Sequence, residues 1–345
     1  MEDVLIIGLG CAGYTAAIYT ARYKLKTLIV GQEEGGMGMT AAEVGNWPGD
    51  IEVKGPELME RMKAHAMSFD SVTLKVAYVE KIERVTLSSA AAPRYDFARG
   101  ACPERRRRAR KITRDDTAAR IEGSSATVFK VTMSGGETAE AKTVIFAMGS
   151  SKRHLGIPGE DRLSGRGVTY CATCDAFFYK GKDVAVIGGG DSAVEGAAIA
   201  AQVARKVYLV HRRNEFKAEP YWVDRVKAKG NIIMVLERNA VEILGEKKVE
   251  ALKLDQPFEG SDQIKVDGVF IEVGSNPATD LAKQLGCELD KRGFLSVKAD
   301  QGTNVKGVFG AGDVTNASNF FAQFATAAGE GAVAANSVFN YLQGN

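Results

Sequence analysis

Hydrophobic residues along the chain are grouped into short runs that end in glycine and are followed by alanine-rich stretches. The clearest run is DVLIIGLGCAG at residues 3–13, and DVAVIGGGDSA at residues 183–193 repeats it at an offset of 180 residues (183 minus 3). Apolar residues, then glycines, then alanines fit a buried strand, a tight turn and a helix. The pattern therefore predicts two βα units of the same kind.

The glycines of each turn predict a site for the pyrophosphate of a dinucleotide. The first glycine permits the turn, the second lets the backbone approach the phosphates, and the third position allows close helix–strand packing. The helix N-terminus adds free N–H groups. Such turns also occur without a ligand, so a purely structural role stays open. The predicted contacts are Gly8, Gly10, Cys11, Ala12 and Gly13 in the first unit and Gly188, Gly190, Asp191, Ser192 and Ala193 in the second.

The end of the second strand distinguishes the two units. The first copy carries carboxylates there, and the second carries a histidine and two arginines. A carboxylate accepts hydrogen bonds from a ribose 2′-hydroxyl, whereas arginines suit a 2′-phosphate. The first site is therefore predicted to hold FAD and the second NADPH, with a solvated strand end as the alternative for the arginines. The residues concerned are Glu33, Glu34, His211, Arg212 and Arg213.

A third strand signal supports a flavin. GVFGAGDVTN at residues 307–316 is a short apolar run that ends in Gly312 and Asp313, and ATAAGEGAVAA at residues 325–335 is typical of a helix. The N-terminal dipole of that helix could face a flavin edge that becomes anionic on reduction.

Composition limits the class of protein. The chain has 345 residues, 45% hydrophobic and 26% charged, which is enough for two domains with cores. A net charge of +2 argues against a polyanion binder as a whole, and no apolar stretch approaches the roughly 20 residues that span a bilayer. The first strand begins by about residue 4 and leaves no room for a signal peptide. We therefore expect a cytoplasmic, reducing location.

Two cysteines, Cys171 and Cys174, lie close together in YCATCDAFF, just ahead of the second glycine run. In a reducing compartment such a pair is more often catalytic or metal-binding than structural. Half of a zinc site is the alternative, but zinc needs four ligands and no second pair exists. No metal is therefore predicted, and Cys11 is interpreted as a small filler. The remaining cysteines and the histidines are scattered: Cys102, Cys287, His65, His154 and His211.

Two nucleotide sites and a cysteine pair together predict an electron path from nicotinamide through flavin to a disulfide. A flavin accepts a hydride and can pass the electron pair to a disulfide. Disulfide exchange then needs a thiolate attacker and a protonated leaving thiol, and a neighbouring carboxyl group can relay that proton.

A basic insertion occupies roughly residues 86–125, between the strand-like runs VEKIERV and ATVFKVTM. Thr86 to Thr127 contains ten Lys/Arg and five Asp/Glu, a net charge of +5, and includes RRRRARK at residues 105–111. The favoured interpretation is a surface loop, because such runs are usually solvated. Docking of an acidic partner is the second, and nucleic-acid binding the third, since aromatics are few and no groove-reading motif is present.

These motifs together resemble the low-molecular-weight thioredoxin reductases over nearly the whole chain. The Cys-Ala-Thr-Cys-Asp run, about 14 residues before the second glycine fingerprint, is the most specific of them. The segments that carry the resemblance are GLGCAGYTAAIYTAR, EVGNWPG, GRGVTYCATCDAFFYKGKDVAVIGGGDSA, HRRNEFKAE, GVFGAGDV and ATAAGEGAVAA.

The resemblance implies an α/β fold of two Rossmann-like, doubly wound, three-layer domains. An NADPH-binding domain at residues 151–274 would be inserted into an FAD-binding domain formed by residues 1–150 and 275–345. The resemblance also implies a homodimer, with rotation of the inserted domain bringing disulfide and nicotinamide to the flavin in turn. It implies further cofactor contacts at Gly35, Gly36, Met37, Thr40, Asn46, Gly312, Asp313, Gln323 and Lys217.

The implied activity is thioredoxin-disulfide reduction, with electrons passing from NADPH through FAD to the Cys171–Cys174 disulfide. By the same resemblance, Cys174 would face the flavin, Cys171 would attack the disulfide of thioredoxin, and Asp175 would serve as acid and base.

Three departures from the family pattern leave alternatives open. Met37 stands where Gln is usual, Lys217 replaces an arginine, and residues 322–324 read Ala-Gln-Phe in place of Arg-Gln-Ala. A ferredoxin or another non-NADPH donor is therefore the second hypothesis. A polyanion-binding protein acting through the arginine loop is an alternative of another class. A flavin reductase or oxidase without a disulfide partner is disfavoured by the intact cysteine pair.

Overall fold

The structure is a computed structural model, and it describes residues 1–41, 43–86 and 127–344. Within these residues the chain forms two compact units. The first unit draws on residues 1–34, 62–148 and 279–345, and the second on residues 35–61 and 149–278. The basic insertion, with Cys102 and RRRRARK, lies outside the described residues, so the interpretations of that segment stay predictions.

The elements of the first part of the chain begin with the predicted strand, turn and helix. They are β1 (Glu2–Ile7), α1 (Cys11–Arg22), β2 (Thr27–Gly31), a 3₁₀ turn (Gly36–Thr40), α2 (Gly55–Met67), β3 (Val72–Val76), β4 (Val79–Thr86), β5 (Thr127–Met133) and β6 (Thr138–Phe146).

The middle of the chain repeats the strand–turn–helix order and adds further strands. Its elements are β7 (Ser150–Lys152), β8 (Val168–Thr169), α3 (Ala172–Asp175), a 3₁₀ turn (Ala176–Tyr179), β9 (Asp183–Ile187), α4 (Asp191–Ala200), β10 (Lys206–His211), α5 (Pro220–Lys227), β11 (Ile232–Leu236), β12 (Ala240–Leu244), β13 (Ala251–Phe258), β14 (Ser261–Lys265), β15 (Gly268–Ile271) and β16 (Ser275–Pro277). The last part contains α6 (Asp280–Gln284), β17 (Val308–Gly310), a 3₁₀ turn (Ala317–Phe320) and α7 (Phe324–Leu342).

The first unit is built on one sheet with strand order β3-β2-β1-β6-β5-β4, and β17 also pairs with β6. Strands β3, β2, β1, β6 and β17 run parallel, whereas β4, β5 and β6 are antiparallel neighbours. Residues 4–7 of the central strand β1 are apolar and buried, as parallel strands covered on both faces require. The two strand-like runs on either side of the insertion form the neighbouring antiparallel strands β4 and β5.

The second unit is built on a parallel sheet of strand order β11-β10-β9-β15-β8. One apolar core packs helices α3, α4 and α5 on this sheet, and a second contains Val210, Ile243, Leu252 and Ile271 and involves the antiparallel sheet β12-β13-β14. Both units thus combine a parallel sheet with helices, which confirms the predicted α/β class.

The predicted repeat is confirmed in three dimensions. Val4 lies opposite Thr27 in the β1–β2 ladder, and Val184 lies opposite Val207 in the β9–β10 ladder, at the same offset of 180 residues. The helices that follow start at residues 11 and 191, again at this offset. Among the described residues, no helix is both long and apolar enough to cross a membrane.

Candidate active site

The two cysteines of the CATCD run form a disulfide at the start of α3. Their Cα atoms are 5.3 Å apart. Cys171 has extended backbone angles and caps the helix, and the backbone N–H of Cys174 donates to Cys171 Sγ at 3.2 Å. Cys174 is exposed and Cys171 is partly buried. The predicted pair is thus a local unit whose spacing one helical turn permits.

Asp175 is joined to the cysteines through Thr169. The hydroxyl of Thr169 donates a short hydrogen bond to Asp175 Oδ2 and accepts the backbone N–H of Cys171 at 3.3 Å. The backbone N–H of Asp175 also donates to Cys171 O at 3.2 Å. A carboxylate is therefore fixed one residue from Cys174, as an acid/base group for a thiol would need to be.

The second glycine turn provides an open cradle at the start of α4. Gly188 has a φ of +147°, and a Cβ there would lie 2.2 Å from the backbone oxygen of Glu272, so this position excludes a side chain. At Gly190, in contrast, a Cβ would meet nothing within 4 Å. Ala193 is fully buried against the turn, where its Cβ lies 2.6 Å from a Cβ built on Gly188. Open space before a helix N-terminus fits a pyrophosphate.

A basic loop runs beside this turn. The backbone N–H of Lys217 donates to Gly189 O at 2.7 Å, so the loop of Arg212, Arg213 and Lys217 is tied directly to the cradle. These three side chains are exposed, as is Ser192. Asp191 is occupied locally, because its Oδ1 accepts the backbone N–H of Glu219 at 2.6 Å.

His211 differs from the arginines that follow it. Its imidazole is buried and packs on Gly189, where a Cβ would lie 2.2 Å from the ring. The Nε2 atom lies 3.1 Å from Glu215 O, and the ring stacks with Phe216 at 5.5 Å. Burial lowers the pKa of His211, and nearby cations lower it further. The histidine ring therefore packs against the glycine turn, whereas the arginines are exposed to solvent.

The first glycine turn is packed tightly on its neighbours. A Cβ on Gly8, whose φ is +127°, would lie 2.0 Å from Ala147 O, and a Cβ on Gly13 would lie 2.0 Å from Gly8 O. Gly10 caps α1 with the same extended angles that Gly190 has at α4. The close packing that the sequence predicted at Gly13 is thus present.

Cys11 is inert in this turn. It is buried, and its Sγ donates to Phe324 O at 3.2 Å. Burial raises the pKa of its thiol to about 12, and the carboxylate of Asp313 contributes. A thiol with this pKa is not a nucleophile at neutral pH, in keeping with the prediction of a small filler.

The loop after β17 packs against the same turn. A Cβ on Gly312 would lie 2.9 Å from Ala12 Cβ, and the backbone N–H of Gly312 donates to Glu330 Oε2 at 2.7 Å. Burial, together with the charge of Glu330, raises the pKa of Asp313 to about 6. Gly8, Ala12, Gly312 and Asp313 are therefore brought together near the N-termini of α1 and α7.

Other predicted flavin contacts lie at the ends of their elements. Glu33 and Glu34 are exposed after β2, and Glu34 pairs with Lys63. Gln323 caps α7, and its backbone N–H donates to the hydroxyl of Thr326 at 3.1 Å. The remaining predicted contacts fall in the 35–61 segment of the second unit: Gly35, Gly36, Met37, Thr40 and Asn46.

The turn just before the substituted residues 322–324 has a distinct local structure. Ser318, Asn319 and Phe320 all have φ between +48° and +61°, which non-glycine residues rarely adopt. The ring of Phe320 lies 3.9 Å from the guanidinium of Arg292 and 5.1 Å from Phe294. Contacts of this kind hold the strained turn in place.

Sequence reasoning missed several residues that position the site. Glu272 is a charged residue at the end of the apolar run GVFI, and that interruption was the available signal. Thr169, Lys152 and Glu330 gave no local signal, since their partners are distant in sequence. No group of three or more His, Cys, Asp or Glu side chains in the described part of the chain could hold a metal ion.

Comparison with known proteins places these features in a family. The profile of the pyridine nucleotide-disulphide oxidoreductases matches residues 2–331. A thioredoxin reductase of Mycolicibacterium smegmatis is 38% identical over 99% of this chain and 97% of its own length. A Pseudomonas fluorescens protein named glucosaminate ammonia-lyase is 39% identical over 99% of this chain and 96% of its own length. The crystal structure of Lactococcus lactis thioredoxin reductase superimposes with a TM-score of 0.83 at 30% identity and covers 100% of both chains.

Proposed function

Because the chain belongs to the pyridine nucleotide-disulphide oxidoreductases and, within them, to the low-molecular-weight thioredoxin reductases, we propose that it reduces the disulfide of a thioredoxin with electrons from NADPH, passed through FAD to Cys171 and Cys174. The observation that carries the proposal is the Cys171–Cys174 disulfide, held with Asp175 in the unit that also contains the second glycine turn. The Pseudomonas relative is named for a lyase, but a disulfide pair has the chemistry of electron transfer.

The thiol chemistry follows from the geometry of the pair. FAD, when bound, supplies the two-electron transfer between a nicotinamide and a disulfide. Two electrons and two protons convert the Cys171–Cys174 disulfide to two thiols, and Asp175 holds or releases a proton beside them. The Cys171 thiolate then attacks the disulfide of thioredoxin and expels one of its sulfurs. Cys174 attacks the resulting mixed disulfide, which releases the reduced partner and restores the pair.

The nucleotide sites are assigned by chemistry that the two turns offer. Gly8, Gly10 and Gly13, together with Gly312 and Asp313, would hold FAD. Their close backbone packing suits a pyrophosphate, and the exposed carboxylates after β2 suit an unphosphorylated ribose. The cradle at Gly190 and the exposed cations of the adjacent loop would hold NADPH, since arginines and a lysine suit the 2′-phosphate.

Anaerobic titration of the flavin tests the donor. NADPH is expected to bleach the flavin absorbance rapidly, and NADH is expected to do so much more weakly. A flavin that stays oxidised with both nucleotides but is bleached by reduced ferredoxin would replace NADPH with a ferredoxin donor, which the substitutions at residues 322–324 first suggested.

Turnover with thioredoxin tests the acceptor. The Cys174→Ser variant is expected to retain flavin but lose thioredoxin reduction, and to trap a mixed disulfide through Cys171. Cys287→Ser is the matched control, because Cys287 is a buried free cysteine in the first unit. Full thioredoxin reduction by Cys174→Ser would refute the proposal.

The resemblance extends the proposal to assembly and location. We expect a homodimer in the cytoplasm, with thioredoxin as its protein substrate. Light scattering of the purified protein measures the first point, and a mass equal to one chain of 36.9 kDa would contradict it.

A further inference from the structure

Glu272 lies at the carboxyl end of β15, beside the second glycine turn. The residue is only 7% exposed, and its backbone oxygen closes the space in front of Gly188. Ligands of parallel α/β sheets bind outside the carboxyl ends of the strands. A buried carboxylate at this point needs partners, because an unpaired buried charge is costly.

The side chain of Glu272 joins two elements that are far apart in sequence. Its Oε2 atom accepts from Lys152 Nζ at 2.7 Å, and its Oε1 atom accepts the backbone N–H of Ala172 at 3.4 Å. Ala172 directly follows Cys171. The ion pair therefore contacts the backbone of α3 at Ala172, the residue next to Cys171.

Packing leaves this junction little room to shift. Ala172 is 2% exposed, and a Cβ built on Gly196 of α4 would lie 2.9 Å from Ala172 Cβ and 3.9 Å from Glu272 Cγ. Glu272 thus lies where α3 packs against α4. It contacts the first residue of α3 directly.

A second carboxyl group, Glu195 of α4, interacts electrostatically with Glu272 and Lys152. Its Oε1 atom is buried without a hydrogen-bond partner among the described residues. Burial raises the pKa of Glu195 to about 7, and the carboxylates of Glu43, Glu272 and Asp191 contribute, while Lys152 opposes the rise. Burial likewise raises the pKa of Glu272, and Lys152 opposes it. Lys152 is therefore the cation that balances this group of carboxyls.

We propose that the Lys152–Glu272 ion pair positions Cys171 and Cys174. The pair fixes the backbone at Ala172, and its balance of charge determines how far a thiolate at Cys171 or Cys174 is favoured. The proposal deepens the disulfide reductase function and rests on it. Removal of the Glu272 charge leaves Lys152 uncompensated and favours a thiolate. Removal of Lys152 leaves the carboxylate uncompensated and disfavours it. A merely structural pair would loosen α3 in both variants and shift thiol reactivity in the same direction.

Alkylation of the reduced cysteines measures this effect. The full-length flavoprotein is reduced with dithiothreitol, exchanged into buffer and treated with iodoacetamide between pH 6 and 9, and each cysteine is followed by peptide mass spectrometry. At pH 7, Glu272→Gln is expected to alkylate at Cys171 and Cys174 roughly three- to tenfold faster than the wild type, and Lys152→Gln slower by a similar factor. The alkylation needs neither NADPH nor thioredoxin. Failure of the reductase proposal would therefore appear in thioredoxin turnover, whereas failure of the positioning role would appear in the alkylation rates.

The matched controls are Glu242→Gln and Lys253→Gln, which break a half-exposed ion pair of 3.6 Å on the β12–β13 ladder of the same unit. Both are expected to leave the alkylation rates unchanged. Unchanged rates in the Lys152 and Glu272 variants, or shifts of both in one direction, would overturn the proposal. If Glu272→Gln fails to fold by circular dichroism, Lys152→Gln alone decides: slower alkylation supports the proposal, and unchanged or faster alkylation refutes it.

Discussion

The hydroxyl of Thr169 donates to the carboxylate of Asp175, and the oxygen of the same hydroxyl accepts the amide N–H of Cys171. A residue at the end of β8 thus fixes the carboxylate relative to the first cysteine. The carboxylate of Asp175 and the backbone of Cys171 are thus held by one side chain, which gives Thr169 a measurable role.

Asp175→Asn is expected to lower kcat for thioredoxin reduction by roughly ten- to a hundredfold, because an amide cannot hold and release the proton of a thiol. Thr169→Val should lower kcat less, since it removes the orienting bond and keeps the carboxylate. Flavin content, read from the absorbance spectrum, should not change in either variant. Wild-type kcat in Asp175→Asn across the pH profile would remove the acid/base role.

Arg212 and Arg213 are expected to provide the preference for NADPH over NADH. Replacing both with alanine should raise KM for NADPH by at least about a hundredfold, because charge-assisted hydrogen bonds to a phosphate contribute about 1.5–3 kcal/mol each. KM for NADH should change little. Arg166→Ala, an exposed arginine of the same unit, is the control. An equal loss for both nucleotides would point to a role other than recognition of the 2′-phosphate.

Glu195 is expected to make stability depend on pH. Its pKa is raised from 4.5 to about 7 in the folded protein, so folding favours the protonated form. The stabilisation is complete below the unfolded pKa and is lost as pH rises through about 7. The free energy of unfolding should therefore fall less between pH 5 and 8 in Glu195→Gln than in the wild type, by about 1–3 kcal/mol. Denaturant melts at the two pH values measure this.

The exposed Glu246 is the control for the Glu195 experiment. Glu246→Gln removes a carboxylate from the same unit but leaves Glu195, Glu272 and Lys152 unchanged. It should keep the pH dependence of the wild type. A Glu195→Gln protein that loses stability with pH as steeply as the wild type would contradict the assignment.

Glu330 is expected to hold the loop after β17. Its two oxygens accept from Gly312 N at 2.7 Å, Thr315 Oγ1 at 3.0 Å and Ser318 Oγ at 2.6 Å. Glu330→Ala leaves these donors unsatisfied and should cost about 2–4 kcal/mol. Thermal melting and the FAD retained after gel filtration should both fall. Glu288→Gln, an exposed position in the same unit, should change neither, and an unaltered Glu330→Ala protein would show that the loop is held by other contacts.

The repeated βα units and the identity of the cysteine pair can be predicted from the amino-acid sequence. Glycine at residues 8 and 188, followed by an alanine-rich helix, leaves the backbone few alternatives, and the offset of 180 residues reappears in both helix starts and both strand registers. Cys171 and Cys174 are three residues apart, so local helix geometry alone brings their sulfurs together. These features depend on short-range sterics and on periodicity, which sequence displays directly.

Which side chains surround the cysteines and the second glycine turn follows from the packing of the folded chain. Lys152 and Glu272 are 120 residues apart, and neither their ion pair nor the contact of Glu272 with Ala172 follows from any local pattern. His211 belongs to the same short basic motif as Arg212, yet burial against Gly189 separates its environment from that of the arginine. Burial and long-range electrostatics depend on how strands and helices pack, and a linear pattern does not record that packing.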